Sequence, residues 1–202
     1  MTVTQQSSEH EYTLYHLRYS EALPSPSDWQ QRAQALALSV DPTTHEILGC
    51  FNGLFGLKSS DCFCLISGPS GSGPTQTDLV PTILARTPMN ATIRPYSPKM
   101  MSQDGIYVFR FWKIAGDQVE RAVELSAAAW KTFEEGFDTE VKALFRQQLR
   151  EEEESMLLIT WYKNLTAWEA SRRPDPEAQE YFRQRQALMH SVMPIATRLI
   201  PY

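Results

Sequence analysis

A six-residue string in the first half of this chain returns in the second. Leu14-Tyr15-His16-Leu17-Arg18-Tyr19 is echoed 92 positions on by Ile106-Tyr107-Val108-Phe109-Arg110-Phe111. Each copy heads a segment that closes on Ala-Thr, then an Arg, then Pro-Tyr: Ala91-Thr92-Ile93-Arg94-Pro95-Tyr96 and Ala196-Thr197-Arg198-Leu199-Ile200-Pro201-Tyr202. A period of about 90 residues is too long for a solenoid unit and suits two copies of one small domain. With 202 residues there is room for both.

Local patterns give the two copies one order of elements. Tyr12 to Tyr19 reads as a strand, and Pro24-Ser25-Pro26-Ser27 breaks it. Ser27 with Gln30 predicts a capped helix over Asp28 to Val40, with Trp29, Ala33, Leu36 and Val40 on one face. Glu46 to Leu57 and Asp61 to Ser67 predict a hairpin, Gly68 to Pro74 a loop, Asp78 to Ala85 a helix interrupted by Pro81, and Asn90 to Tyr96 a closing strand. In the second copy Ile106 to Ile114 is a strand. Asp117 and Glu120 predict a capping box opening a helix with Val119, Ala122, Val123, Trp130 and Phe133 on its apolar stripe. Glu140 to Leu149 and Ser155 to Lys163 predict the next hairpin, with Glu151 to Glu154 as a hydrated acidic turn. After a short helix at Thr166 to Arg172, Asp175-Pro176 starts a helix that Pro194 ends, with Ala178, Phe182, Leu188, Met189 and Val192 facing inward. Ile195 to Ile200 is the last strand.

Strand, helix, strand, strand, helix, strand, twice, is the order of a ferredoxin-like α+β unit. The expected organisation is a polar tail over 1–11, a first repeat over 12–96, a linker over 97–104 and a second repeat over 105–202. Each unit is a four-stranded antiparallel sheet with helices on one face, so the other face needs apolar cover. Two such sheets packed face to face make a pseudo-dimeric α+β barrel within one chain. A homodimer stays open as well, although pairing of the two sheets within the chain would already cover these faces.

Composition removes several function classes. A net charge of −5 without a basic stripe argues against nucleic acid as a partner. The start of the chain has neither the charge nor the apolar run of a signal peptide, and no run is long enough to span a bilayer, so no membrane partner and a cytoplasmic location are expected. Cys50, Cys62 and Cys64 are read as buried free thiols; Cys62 and Cys64 share a strand face, but no second Cys or His pair accompanies them, and no metal is expected. Gly68 to Pro74 is neither a nucleophile elbow nor a phosphate loop, and no dinucleotide fingerprint or His-Glu-x-x-His is present.

Phe109-Arg110-Phe111-Trp112-Lys113-Ile114-Ala115-Gly116, and less fully Leu17-Arg18, resemble the opening strand of the NIPSNAP family in the dimeric α+β barrel superfamily. Ile159-Thr160-Trp161-Tyr162-Lys163-Asn164-Leu165-Thr166-Ala167-Trp168 is similar to that family's aromatic strand, which leads into a short helix bearing arginines, here Arg172 and Arg173. The match covers about 100 residues of the second half and little beyond the first strand of the first. What it implies is a fold whose members include cofactor-independent oxygenases, isomerases, dehydratases and haem-binding or haem-degrading proteins.

The candidate chemistry is carried by few residues. His10 lies in the tail and His45 in a loop, which leaves His16 and His190 as candidate catalytic groups. His190 falls in the last turn of the expected helix, where the dipole alone would favour it. His16 and Arg18 share a sheet face, and Arg110 with Trp112 are expected to repeat that arrangement in the second copy. Arg18, Arg110, Trp112 and Trp161 are the candidate ligand-binding residues, a cation beside an aromatic plate being suited to a planar anionic ligand. The competing account is that both arginines pair with acidic helix residues, or reach the solvent at a strand end. No cofactor is expected, and a small molecule is the expected partner. A haem-associated protein with His16 or His190 as ligand is one alternative, and a structural barrel filled by its own side chains is another.

Overall fold

The computed structural model describes residues 10–21, 25–69, 73–74 and 81–201. Its strands are β1 (Glu11–Arg18), β2 (Glu46–Phe55), β3 (Asp61–Ser67), β4 (Thr82–Arg94), β5 (Ile106–Ala115), β6 (Thr139–Gln147), β7 (Glu153–Tyr162) and β8 (Met189–Leu199). The helices among the described residues are α1 (Pro26–Leu38), α2 (Val119–Gly136), α3 (Leu165–Ala170) and α4 (Pro176–Gln186). All ladders are antiparallel and close on themselves in the order β1-β3-β2-β8-β5-β7-β6-β4. Within each half the order is fourth, first, third, second, the ferredoxin-like arrangement expected. The halves join where β2 meets β8 and where β4 meets β6, so the second strand of each pairs with the fourth of the other.

Alternation along the strands explains the layers. Tyr12 and Leu14 of β1 point inward, while Tyr15 and Leu17 point outward onto α1. The inward set draws on all eight strands and is rich in aromatics: Tyr12, Phe51, Phe63, Tyr107, Phe109 and Phe145 are all buried. Phe109 meets Phe51 at 5.0 Å and Phe63 at 5.2 Å between ring centroids, so rings from opposite halves interlock across the barrel. Met101, from the connection between the halves, packs on this cluster, and its N–H donates to the Leu48 carbonyl at 2.7 Å.

The outer face carries the helices. Trp29, Ala33 and Leu36 of α1 cover the first half together with the three free, buried cysteines. Ser25, rather than Ser27, caps this helix: its Oγ accepts from the Asp28 N–H, the Asp28 carboxylate accepts from the Ser25 N–H, and Pro26 opens the first turn. In the second half α2 buries the expected stripe, Val119, Ala122, Val123, Trp130 and Phe133. The capping box expected from Asp117 and Glu120 does not form. A 3-10 turn at Gly116–Gln118 leads into α2 with no side-chain cap, and Glu120 accepts instead from Arg146 at 2.8 Å.

Three further expectations are corrected. Thr82 to Ala85 is strand, its ladder with β1 overriding a weak helical pattern; residues 78–80 of the expected helix lie outside the described residues. The last helix stops at Gln186, and Met189, Val192 and Pro194 belong to β8. Along that stretch β8 pairs only with β5, because its ladder with β2 covers Ala196 to Leu199, and a half-open edge tolerates proline. Nor is the acidic turn wholly hydrated. Glu154 is 2% exposed and accepts two bonds from Arg146, one of them 2.6 Å long.

Candidate functional site

The sequence pattern places His16 with Arg18 and Arg110 with Trp112 on corresponding faces. The barrel puts them on opposite ones. His16 follows Tyr12 and Leu14 on the inward side of β1, and its ring meets the edge of Phe63 at 5.3 Å. Arg110 lies between Val108 and Trp112 on the outward side of β5, under α2 and α4. The two strings therefore echo in sequence but are displaced by one residue in facing, and an odd displacement reverses every side chain.

At the end of β1, Arg18 is committed to Asp61. Its Nε donates to Asp61 Oδ1 at 2.7 Å and its NH2 to Oδ2 at 2.8 Å, while His16 Nε2 lies 2.9 Å from the same Oδ2. Asp61 is 2% exposed, and the Arg18 guanidinium before all else holds its carboxyl down at about 2. Arg18 is thus neutralised by an acid, as the competing account has it, but by one on a strand and not on a helix.

Arg110 has no such partner among the described residues. Its NH2 donates to the Tyr162 hydroxyl at 3.0 Å and its NH1 to Thr160 Oγ1 at 3.3 Å, and its guanidinium lies 5.8 Å from the centre of the Tyr162 ring. Trp112, two residues on, is 1% exposed. A second cation, Arg185 of α4, covers it with its guanidinium carbon 4.8 Å from the Trp112 ring centre and 4.9 Å from that of Phe182. Arg185 NH1 donates to Ser126 Oγ of α2 at 3.0 Å. Two arginines, three aromatic plates and three hydroxyls thus form a polar seam in an otherwise apolar sheet–helix layer.

Trp161 and His190 stand outside this group. Trp161 is on the inward side of β7, its Nε1 donating to the Asp104 carbonyl at 3.0 Å and Lys142 Nζ lying 5.9 Å over its ring. His190 is on β8, not on a helix, so the dipole account lapses; it is exposed, with Nδ1 2.8 Å from Glu153 Oε1. Of the six candidates the structure brings together Arg110 with Trp112, and His16 with Arg18, at separate places. Arg185, Ser126, Thr160 and Tyr162 were missed. Their signal was a defect in each apolar pattern: Arg185 follows Ala178 and Phe182 at helical spacing, and Ser126 interrupts the stripe of α2 between Ala122 and Trp130.

An open recess of about 370 Å³ lies elsewhere, lined by Ala115, Gly116, Asp117, Glu151, Glu152 and Glu154. It holds none of the predicted site residues. No group of three or more metal-ligating side chains and no helix long and apolar enough to cross a membrane occurs among the described residues.

Closure of two ferredoxin-like sheets into one barrel has clear parallels among solved structures. An anthrone oxidase-like protein matches with a TM-score of 0.62 at 12% identity, over 96% of this chain and 94% of that one. The fold is that of the dimeric α+β barrels. A haem-binding protein from Thermus thermophilus matches at 0.54 and 12% identity, over 94% and 90% of the two chains. A ferredoxin-fold protein from Listeria monocytogenes related to antibiotic biosynthesis monooxygenases matches at 0.51 and 8% identity, over 96% and 98%. No family model and no curated protein sequence matches the chain.

Proposed function

We propose that this α+β barrel binds a small planar organic molecule in the layer between β5, β7 and the helices α2 and α4. The observation that carries the reading is Arg110: a cation inside an aromatic layer, held by two hydroxyls and by no carboxylate among the described residues. A guanidinium in such surroundings can hold a carboxylate or an oxyanion developing on an aromatic substrate, with Trp112 and Tyr162 as plates. Cofactor-independent chemistry of the oxygenase or isomerase type fits this equipment, since the layer supplies a cation and a phenolic hydroxyl. The oxidase- and monooxygenase-related descriptions of proteins sharing the fold point the same way. The narrower NIPSNAP-like affiliation rests on residues Phe109 to Gly116 and Ile159 to Trp168.

Haem, which one structural relative binds, is not matched by the residues present. His16 is held on Asp61, His45 is buried between Thr44 and the Pro69 carbonyl, and His190 is on the surface. No imidazole reaches the layer that holds Arg110, and the thiols of Cys62, through burial, and of Cys64, through its hydrogen bond with Cys50 and then burial, are pushed well up, away from the ligating thiolate. Buried, unpaired thiols also accord with a reducing, cytoplasmic setting.

Fluorescence titration tests the reading, because Trp112 and Trp130 lie in the layer. 1-Naphthol, anthrone and 1-naphthoate are added in turn, with dioxygen uptake followed in parallel. Quenching by at least one compound, lost in Arg110→Gln with an unchanged circular dichroism spectrum, is expected. If none of them quenches, the second reading holds, a structural barrel; the aromatic filling of the interior favours it.

A further inference from the structure

The reading above allows a neutral or a charged ligand. Resting on it, we infer that the ligand carries a carboxylate, gripped jointly by Arg110 and Arg185. The two guanidinium groups enter the seam from opposite sides, one from β5 and one from α4, with Trp112 beneath and Phe182 and Tyr162 as flanking plates. Their hydrogen bonds go to the hydroxyls of Thr160, Tyr162 and Ser126. Neither has an acidic partner among the described residues.

This is not for want of acids. The chain has 24 Asp and Glu against 19 Lys and Arg, and other arginines find carboxylates: Arg18 has Asp61, Arg94 has Glu134 and Arg146 has Glu154. Arg183, two residues before Arg185 on α4, has Glu180 at 2.7 Å. Two like charges brought together under a helix repel, and desolvation adds to the cost. Burial first, and the Arg110 charge second, push the Arg185 guanidinium down to about 9, still protonated at neutral pH. The Nε–H of Arg185 is sealed from solvent and meets no acceptor, although buried donors are almost always satisfied. One carboxylate answers both deficits. It supplies the missing negative charge, and its planar pair of oxygens matches the fork of a guanidinium.

The test compares 1-naphthoate with its neutral isostere 1-naphthalenemethanol and with inorganic phosphate, by fluorescence titration and thermal shift. 1-Naphthoate is expected to bind at least about tenfold more tightly than the alcohol, the worth of a charge-assisted hydrogen bond. Arg185→Gln should bring it down to the level of the alcohol. Should that variant fail to fold, Arg185→Lys decides, because it keeps the charge but loses the fork and the Nε–H; the tenfold preference should shrink. Equal binding of naphthoate and alcohol overturns the inference and leaves the proposed function standing; binding of neither overturns the inference, and the proposed function falls with it when 1-naphthol and anthrone fail to quench as well. Undiminished naphthoate affinity in the Arg185 variants overturns the joint grip. Phosphate stabilising the protein as strongly as naphthoate overturns the assignment to a planar carboxylate.

Discussion

Asp61 shows how one carboxylate can settle the fate of two candidate site residues. It is buried, shared by Arg18 and His16, and held at about 2 against an ordinary value of 3.8. Its folded value is depressed, so its contribution is complete above about pH 4 and is lost as the pH falls through 2. Acid unfolding followed by circular dichroism should therefore steepen between those values, and Asp61→Asn should flatten that step and lower the Tm at pH 7 by about 5 °C. A step of equal size in the variant would assign the acid sensitivity elsewhere. The sequence showed that His16 and Arg18 share a face, because spacing by two is a local property. It could not show which carboxylate would meet them, since Asp61 arrives from another strand through pairing. Arg185 was hidden for a related reason: an arginine on a short polar helix reads as solvated until the sheet beneath supplies Trp112 and the neighbouring helix α2 supplies Ser126.

Strand order, hairpins and the stripe of α2 were legible because each is written in a local period. The boundary between α4 and β8 was not. Leu188, Met189 and Val192 satisfy a helical period, and only the ladder from Lys113 and Trp112 to Ser191 and Val192 makes the segment a strand. Gly105, at the entry to β5, is another element-level constraint. Its φ is +144°, and a Cβ there would run into the Tyr162 carbonyl and the Trp161 indole nitrogen, both backed by the β5–β7 ladder. Gly105→Ala should destabilise the protein by about 2 kcal/mol in urea unfolding and shift the Trp161 indole resonance in NMR spectra. An unchanged midpoint would mean that the strand entry can relax.

Closure of the barrel makes the halves depend on one another. Phe51 and Phe63 come from one half, Phe109 and Tyr107 from the other, and together they form a single cluster. Calorimetry should give one transition with matching calorimetric and van't Hoff enthalpies, and Phe109→Ala, at a cost of about 4 kcal/mol, should move that transition without splitting it. Two resolved transitions would show that each half is stable alone. With β2 paired to β8 and β4 to β6 inside the chain, each sheet's open face is already covered by the other half, so light scattering at micromolar concentration should give about the monomer mass of 23.1 kDa. A barrel assembled from two identical polypeptides must accept every substitution twice. Here the covalent join between β4 and β5 lifts that requirement. Among the described residues one side is covered by α1 alone, while the other carries α2 and α4 and brings Arg110 and Arg185 together in the layer they cover, a division of labour that a symmetric assembly cannot evolve by point mutation.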